Sequence, residues 1–396
     1  MARGYFAGLS RNTVLLACSS LFADISSEML YPVLPIFLTQ VLKASGSLVG
    51  LIEGVAEATQ NIAQGFSGSL SDKLQRRKPI ALVGYGLAAI SKPLIGASGS
   101  WQGVLGGRFL DRLGTGVRSA PRDALIASSV DEQNRGRAFG LEGAGDNAGA
   151  FLGPVLAVIL LSVMHFDIRL IFYVAVIPGL LAVVMIALVS EKRSAKVDAK
   201  AKITLARFPP AYWKYLAVTA IFGIGNSSNA FLILQTRALG ASLTTTILIY
   251  AAFNLVAALV SYPAGALSDR LGRRNLLLVS FGVFLAAYLG FALTRNIVLV
   301  GALFILYGLF QGIFRSVGKA LASDLVTTET RASGVGWYST TVGLSGLAAS
   351  LVAGLLWDRV GHGSVFFYGA ALALAGTVAL LALVPAKPVR LAKASG

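Results

Sequence analysis

One polar stretch reads Gly68-Ser-Leu-Ser-Asp72-Lys-Leu-Gln-Arg76-Arg77-Lys78-Pro79, and it lies between two long apolar segments. A close copy follows later in the chain as Gly265-Ala-Leu-Ser-Asp269-Arg270-Leu-Gly272-Arg273-Arg274-Asn275. The aspartates of the two copies, Asp72 and Asp269, are 197 positions apart, almost half of the 396 residues. This spacing predicts a duplicated chain in which each half uses the same tight, basic turn.

The composition is that of a polytopic membrane protein, with 55% hydrophobic residues, 13% charged residues and a mean hydropathy of +0.72. Soluble domains carry about twice as many charged residues. Twelve apolar windows, each of about 20 residues or more and long enough to cross a bilayer, fall near 12–41, 46–70, 79–98, 101–128, 136–165, 168–190, 212–236, 243–266, 276–294, 297–325, 334–357 and 363–385. We number them spans 1 to 12. The predicted fold is an all-α membrane protein with six-helix bundles at 1–190 and 211–396, joined by a linker at 191–210.

The basic residues predict the orientation of the chain. Of the 34 Lys and Arg residues, 21 fall in the termini, the linker and the loops on one side of the predicted bilayer, and five fall on the other. Such an excess marks the cytoplasmic side, so both termini and the linker are expected in the cytoplasm. The net charge of +16 therefore orients the chain in a lipid bilayer, and no nucleic-acid partner is expected. The expected location is a bacterial-type inner (plasma) membrane.

Both copies of the opening stretch resemble the loop signature of the major facilitator superfamily, a class of secondary transporters built from two parallel halves. Two further segments resemble patterns of that family. In span 5, Gly149-x-x-x-Gly153-Pro154 is similar to a motif of its proton-linked exporters, and small residues one turn apart permit close helix packing. In span 4, the run Gly107–Gly116 resembles an Arg-x-x-Gln-Gly-x-Gly pattern, but Asp111 replaces its Gln and Arg112 its first Gly.

The resemblance implies a cytoplasmic latch that holds the two halves together when the carrier opens outward. We expect Asp123 to face Arg76, and Asp72 to stabilise the start of the helix near Ser333 through the helix dipole. A role of Arg76 and Arg77 in topology alone is the alternative. The expected latch residues are Gly68, Asp72, Arg76, Asp123, Gly265, Asp269 and Arg273.

Charged residues recur inside the predicted spans, where charge is costly and therefore a default indication of function. Like charges stand at i, i+4 and so share a helix face, in the pairs Asp24/Glu28, Glu53/Glu57, Arg108/Arg112, Arg118/Arg122, Glu142/Asp146 and Arg315/Lys319. We expect acidic faces of spans 1, 2 and 5 to oppose basic faces of spans 3 and 4. The predicted intramembrane network consists of Lys92, Arg108, Asp111, Arg112, Glu142 and Asp146. Permanent ion pairs without a transport role are the alternative.

The predicted spans contain nine acids and seven bases, so pairing every base still leaves a surplus of acid. A buried carboxyl group without a fixed partner takes up a proton more readily. We therefore expect proton coupling at Glu53 and Glu57 first, and at Asp24 or Glu28 next.

Two basic pairs occupy equivalent places in the two halves: at the offset of 197, Arg118 corresponds to Arg315 and Arg122 precedes Lys319 by the same interval. Equivalent residues approach across the pseudo-two-fold axis of a two-halves transporter, so these four cations are expected to bind an acidic group of the substrate. Within its own half we expect Glu142 and Asp146 to neutralise Arg122 and Arg118. Further expected substrate contacts are Asn226, Asn229, Tyr250, Asn254 and Gln311, although such polar groups also join helices to each other.

These patterns together predict a proton-coupled secondary active transporter that moves a small organic molecule by alternating access, as an exporter (antiporter). One alternative is a carrier of an anionic metabolite or acidic chelator in either direction. Another is a receptor or scaffold that does not transport. No enzymatic motif, cofactor or metal site is expected, and a monomer is expected.

Overall fold

The computed structural model describes residues 10–74, 76–131, 134–191, 208–327 and 330–384, with side chains left out at 68–74, 136 and 331–332. The N-terminal half of this part contains α1 (Arg11–Glu28), α2 (Leu34–Ile36), α3 (Gly46–Leu74), α4 (Arg77–Ala97), α5 (Trp101–Ser128), α6 (Arg135–Val158), α7 (Ile168–Val174) and α8 (Val176–Ala187). Two π-helical turns, Phe37–Val41 and Ile159–Val163, extend α2 and α6. The C-terminal half contains α9 (Pro210–Gly225), α10 (Ala230–Ala238), α11 (Leu243–Leu271), α12 (Arg273–Leu293), α13 (Ile297–Asp324), α14 (Arg331–Arg359) and α15 (His362–Leu383).

Every predicted span contains helix, which confirms the all-α fold. Nine helical segments of the described part are long and apolar enough to cross a membrane. Spans 1, 2 and 4, formed by α1, α3 and α5, do not meet that measure. Their sequences contain the charged pairs at Asp24, Glu53 and Arg108, together with other charges. The helices that fall short of this measure are thus ones that carry several of the charged residues of interest.

Backbone contacts group the chain into two compact units. The first lies within Met1–Ala44, Val55–Ala199 and Ser242–Ala251, and the second within Ser45–Gly54, Lys200–Ala241 and Ala252–Gly396. The start of α3 therefore belongs to the second unit, and the start of α11 belongs to the first. The predicted bundles at 1–190 and 211–396 follow the chain and do not anticipate this exchange.

Specific hydrogen bonds hold the two exchanged helix starts. Within the second unit, the carboxylate of Asp358 accepts from the backbone N–H groups of Gly46 and Ser47, both at 2.8 Å. These are among the first N–H groups of α3, which have no partner inside their own helix. Within the first unit, the hydroxyl groups of Ser162 and Thr244 are 2.6 Å apart and hydrogen-bonded.

Glycines set the closest helix contacts of the first unit. A Cβ atom at Gly149 of α6 would lie 2.6 Å from the carbonyl oxygen of Leu21 in α1, and one at Gly153 would lie 2.8 Å from the backbone N of Met29. Pro154 follows inside the same helix. The α6 backbone can therefore lie directly on α1, which brings their acidic residues together.

A second glycine contact joins α4 to α5. A Cβ atom at Gly84 would lie 2.6 Å from the carbonyl oxygen of Gly114, and one at Gly114 would lie 2.5 Å from that of Gly84. No larger residue fits at this crossing without movement of the backbone. The crossing places the next two turns of α4 beside the preceding turn of α5, where Lys92 and Asp111 lie.

Candidate functional site

The first charged cluster surrounds Asp111 of α5. Its Oδ1 atom accepts from the Nζ atom of Lys92 in α4, and its Oδ2 atom lies 3.0 Å from Nη1 of Arg108. The Nε atom of Arg112 is farther away, 3.8 Å from the same Oδ2. The side chains of Lys92 and Asp111 are each only 2% exposed. Burial of charges at this depth is costly unless they are paired and hydrogen-bonded, and Asp111 is shared among three cations.

Polar groups of two other helices reach this cluster. The hydroxyl of Ser27 in α1 accepts from Nζ of Lys92 at 3.3 Å, and Oε1 of Gln60 in α3 accepts from Nη1 of Arg112 at 3.1 Å. The Nε atom of Arg112 is buried and has no hydrogen-bond partner among the described residues. The cluster is therefore hydrogen-bonded to α1 and α3, and the Nε donor of Arg112 remains unused by the described residues.

Two tyrosines form an aromatic wall beside the cluster. The ring centroid of Tyr31 lies 5.7 Å from Cζ of Arg108 and 5.9 Å from Cζ of Arg112. At these distances a guanidinium is attracted to the ring face. Tyr31 also stacks on Tyr250, with centroids 5.4 Å apart and planes 13° apart. The hydroxyl of Tyr250 donates to Oε2 of Glu28 at 3.1 Å, all within the first unit.

The second charged cluster joins α1, α5 and α6. The Nη2 atom of Arg118 lies 3.7 Å from Oδ1 of Asp24, and its Cζ lies 4.4 Å from the ring centroid of Tyr85. The carboxyl group of Asp146 on α6 lies close enough to that of Asp24 for the two to interact electrostatically. The Nε and Nη1 atoms of Arg118 are buried without hydrogen-bond partners in the described part of the chain. Asp24, and not the Glu142/Asp146 pair, is thus the ion-pair partner of Arg118, because the α6–α1 contact brings Asp24 opposite α5.

Arg122 is the most heavily paired cation of this cluster. It lies 2.9 Å from Glu142 and 4.0 Å from Asp146 on α6, and 3.0 Å from its neighbour Asp123. Ser20 of α1 connects the pair, since its hydroxyl donates to Glu142 at 2.8 Å and accepts from Arg122 at 3.1 Å. Acidic faces of α1 and α6 therefore oppose the basic face of α5 in this cluster.

The first copy of the loop stretch departs from expectation where it is described. Asp123 contacts Arg122 and makes no ion pair with Arg76 within the described residues, because Arg122 is its immediate neighbour and reaches the same oxygen with two nitrogens. Arg76 is exposed and precedes α4. The side chain of Asp72 and the surroundings of Gly68 lie outside the described residues.

The sequence reasoning missed the role of Glu191 at this end of the first unit. Its carboxylate accepts from the backbone N–H groups of Arg77, at 2.7 Å, and Lys78, at 3.2 Å. A carboxylate at a helix N-terminus satisfies free donors and is favoured by the helix dipole. The sequence signal for this contact was an acidic residue directly after span 6. Its partner, the start of α4, lies more than a hundred residues earlier in the chain.

The second copy of the stretch is described in full. Arg273 forms ion pairs with Asp269, at 3.4 Å, and through its Nε with Asp324 at the end of α13. Gly272 separates α11 from α12 with a φ of +89°, a conformation that favours glycine. Gly265 lies one turn before Asp269 and has open space around it. Arg273 thus joins the loop to the end of a neighbouring helix.

The remaining predicted residues are placed as follows. Glu53 is buried at the start of α3 in the second unit, and Glu57 is half-buried in the first. Arg315 and Lys319 are exposed on α13, and Asn254 and Gln311 are half-buried. The hydroxyl of Tyr307 donates to Asn226 at 3.3 Å and to Asn229 at 2.9 Å. The convergence of Arg315 and Lys319 with Arg118 and Arg122 stays a prediction.

Comparison with known proteins identifies the family. A family model described as Major Facilitator Superfamily matches residues 16–236 and 215–396. An uncharacterized MFS-type transporter of Methanocaldococcus jannaschii is 35% identical over 384 residues, which cover 94% of this chain and 95% of that protein. Multidrug resistance protein MdtG of Proteus mirabilis is 25% identical over 360 residues, covering 87% and 89% of the two chains.

A solved structure shows the same fold. The crystal structure of a point mutant of the nucleoside transporter NupG superimposes with a TM-score of 0.80 at 14% identity, covering 95% of this chain and 100% of that one. At this identity the likeness concerns the fold alone. Together with the family match over both halves, it shows a multi-pass membrane transporter and not an enzyme. The chain belongs to the major facilitator superfamily of secondary transporters.

Proposed function

We propose that the chain is a proton-coupled antiporter of the plasma membrane, which exports a small organic molecule with an acidic group by alternating access. The carrying observation is the ion pair of Asp24 and Arg118, with the carboxyl group of Asp146 facing Asp24. It places a carboxyl group that can take a proton beside a cation that cannot readily lose one. The similarity to a protein named for multidrug resistance supports the exporting direction.

The chemistry of coupling follows from charge neutralisation. Two neighbouring carboxylates repel each other when both are ionised, so a proton on Asp24 or Asp146 relieves that repulsion. Uptake or release of that proton changes the charge beside Arg118 by one unit, so the state of this cluster is linked to the proton gradient.

The acids of α3 belong to the same proposal as further proton carriers. Glu53 is 1% exposed and Glu57 lies one turn later on the same face. Asp24 takes precedence over them because its contacts include both a cation and a second carboxyl group. Glu28, which accepts from Tyr250, links the same helix to the aromatic wall.

Conformational control is assigned to the loop copies. The pairing of Arg273 with Asp269 and Asp324 supports a latch role for the second copy. We assign the equivalent role to Asp72 and Arg76 of the first copy from the sequence duplication alone. Both termini and the linker are proposed to be cytoplasmic, as the distribution of basic residues indicates.

The experiment that tests this function uses purified protein in liposomes. A thermal-stability screen of small organic acids and neutral analogues first finds ligands, because a bound ligand raises apparent stability. Addition of a ligand from that screen should then release protons from the protein, and an imposed pH gradient should drive its counterflow. Asp24→Asn should abolish both responses. A ligand that binds but is never moved by a pH gradient would show a receptor or an uncoupled carrier instead.

A further inference from the structure

We propose that Lys92, Arg108 and Arg112, grouped around Asp111 and walled by Tyr31, bind the acidic group of the substrate, and that the substrate is a small carboxylate on a flat, unsaturated ring. This inference rests on the proposed function in assuming a small organic cargo. It names a different place for the acidic group than the four cations at Arg118, Arg122, Arg315 and Lys319.

The positive charges of this cluster outnumber the negative charge that is described beside them. Even with Arg108 left aside, Lys92 and Arg112 share a single carboxylate among the described residues, that of Asp111. Its Oδ1 is taken by Lys92, and Oδ2 is 3.0 Å from Arg108 but 3.8 Å from Arg112. A guanidinium keeps its proton under all physiological conditions. Arg112 is therefore a permanent cation with the weakest hold on the shared acid.

Arg112 also has a nitrogen donor, Nε, that no described residue uses in a hydrogen bond. Its Nη1 donates to Gln60, whereas its Nε is buried without a hydrogen-bond partner among the described residues. A buried donor without an acceptor is unfavourable, and a planar carboxylate can accept two N–H groups of a guanidinium at once. A ligand carboxylate at Arg112 would satisfy Nε and bring the second negative charge that Lys92 and Arg112 together require.

The sequence of span 4 supports the same site. Asp111 and Arg112 are the two positions at which span 4 departs from the Arg-x-x-Gln-Gly-x-Gly pattern that it resembles. With Gln and Gly at these positions, both the central carboxylate and the loosely held cation would be absent. The cluster therefore depends on the two departures from the resembled pattern, and a difference in substrate chemistry is the economical reason for them.

The aromatic wall indicates what is attached to the carboxylate. Tyr31 faces both Arg108 and Arg112 and is itself stacked on Tyr250. A flat ring bound through its carboxylate at Arg112 would lie beside these two rings, where stacking adds to the free energy of binding. A saturated ring of similar size would make this contact less well.

Benzoate is the probe for this site. Benzamide is the uncharged control compound, and cyclohexanecarboxylate is the control with a saturated ring. Binding to the purified full-length protein in detergent is measured by isothermal titration calorimetry. Benzoate should bind saturably. Benzamide should bind roughly tenfold or more weakly, because it lacks the charge-assisted contact. Cyclohexanecarboxylate should bind roughly three- to tenfold more weakly, because it lacks the stacking contact. Equal binding of benzamide would overturn anion recognition, equal binding of cyclohexanecarboxylate would overturn the aromatic wall, and absence of saturable benzoate binding would overturn the substrate class.

The variants locate the site. The double variant Asp111→Gln with Arg112→Gly restores the resembled pattern, and it should lose benzoate binding while its unliganded thermal unfolding stays cooperative. Arg112→Gln, which keeps a polar side chain near Gln60, should weaken benzoate roughly tenfold and serves if the double variant does not fold. Lys214→Gln removes one exposed positive charge elsewhere and should bind as the unchanged protein does. An unchanged affinity for benzoate in Arg112→Gln would place the anion site elsewhere.

This test is independent of proton coupling. Calorimetry requires no gradient, so Asp24→Asn should still bind benzoate even though it no longer couples. If Asp24→Asn loses coupling but still binds benzoate, both proposed sites are supported. If Asp24→Asn keeps coupling, the proposed proton site is wrong and the anion site is unaffected. Weaker benzoate binding in Arg112→Gln, with unchanged binding in Asp24→Asn, supports the anion site, and unchanged affinity in Arg112→Gln contradicts that site alone.

Discussion

Arg118 of α5 lies 3.7 Å from Asp24 of α1, and its guanidinium rests over the ring of Tyr85 at 4.4 Å. Tyr85 is in turn hydrogen-bonded to Ser19, which precedes Asp24 on α1. The aromatic ring attracts the guanidinium from one side, and this contact does not depend on the charge of Asp24. The carboxyl group is then the member of the pair that can change its charge.

Asp24→Asn should abolish proton-driven flux of a transported ligand and spare ligand exchange in the absence of a gradient. The amide resembles a protonated carboxyl group, which leaves the carrier permanently in its protonated form. Flux is measured in proteoliposomes with and without an imposed pH gradient. Asp131→Asn, at an exposed position after α5, is the matched control and should behave as the unchanged protein.

Variants of the two acids of α3, Glu53 and Glu57, test the prediction for Asp24 from the other side. If Asp24→Asn keeps its pH dependence and Glu53→Gln or Glu57→Gln loses it, the proton is carried by α3. Loss in all three variants would indicate a shared path for the proton.

Arg273→Ala should slow transport strongly while leaving ligand affinity nearly unchanged, because Arg273 ties the second loop copy to Asp324 at the end of α13. Its neighbour Arg270 is exposed, so Arg270→Ala controls for the loss of one basic charge in the same loop. Affinity is measured by calorimetry and transport by counterflow. A parallel fall in affinity and rate would place Arg273 in the binding site and not in a latch.

Gly149→Ala should destabilise the protein by about 1–3 kcal/mol, the usual effect of overpacking. The added Cβ atom would lie 2.6 Å from the carbonyl oxygen of Leu21 and 2.7 Å from Cβ of Asp24. Gly143→Ala is the matched control on the same helix, since no atom lies within 4 Å of its Cβ position. Thermal unfolding of both purified variants decides the matter, and equal stability would show that α6 does not need glycine at its contact with α1.

A cysteine at Ser194 should not react with a membrane-impermeant maleimide applied to intact cells, because the linker is expected in the cytoplasm. The single native cysteine is first removed as Cys18→Ser. A cysteine at Gly99, between α4 and α5, should react from outside and is the positive control, since the position has open space around it. Efficient reaction at Ser194 from outside would reverse the whole orientation.

The sequence by itself determined the helical, two-half, membrane-spanning character of the chain, because apolar segment length and duplication are local properties of the chain. It also predicted that the charges at i, i+4 share faces, since 3.6 residues per turn brings them together. Helix period cannot show which neighbouring helix a given face meets. For that reason the sequence paired Arg118 with α6 and Asp123 with Arg76, and the structure pairs them with Asp24 and Arg122.

Only the tertiary structure decided the partners, and the physical reason is close packing at glycines. The contact of Gly149 with Leu21 brings α6 onto α1, and the contact of Gly84 with Gly114 brings α4 onto α5. These two approaches fix the rotation and height of each helix relative to its neighbour. Lys92 and Arg112 therefore share Asp111, an arrangement that depends on how α4 packs on α5 and that no count of acids and bases contains.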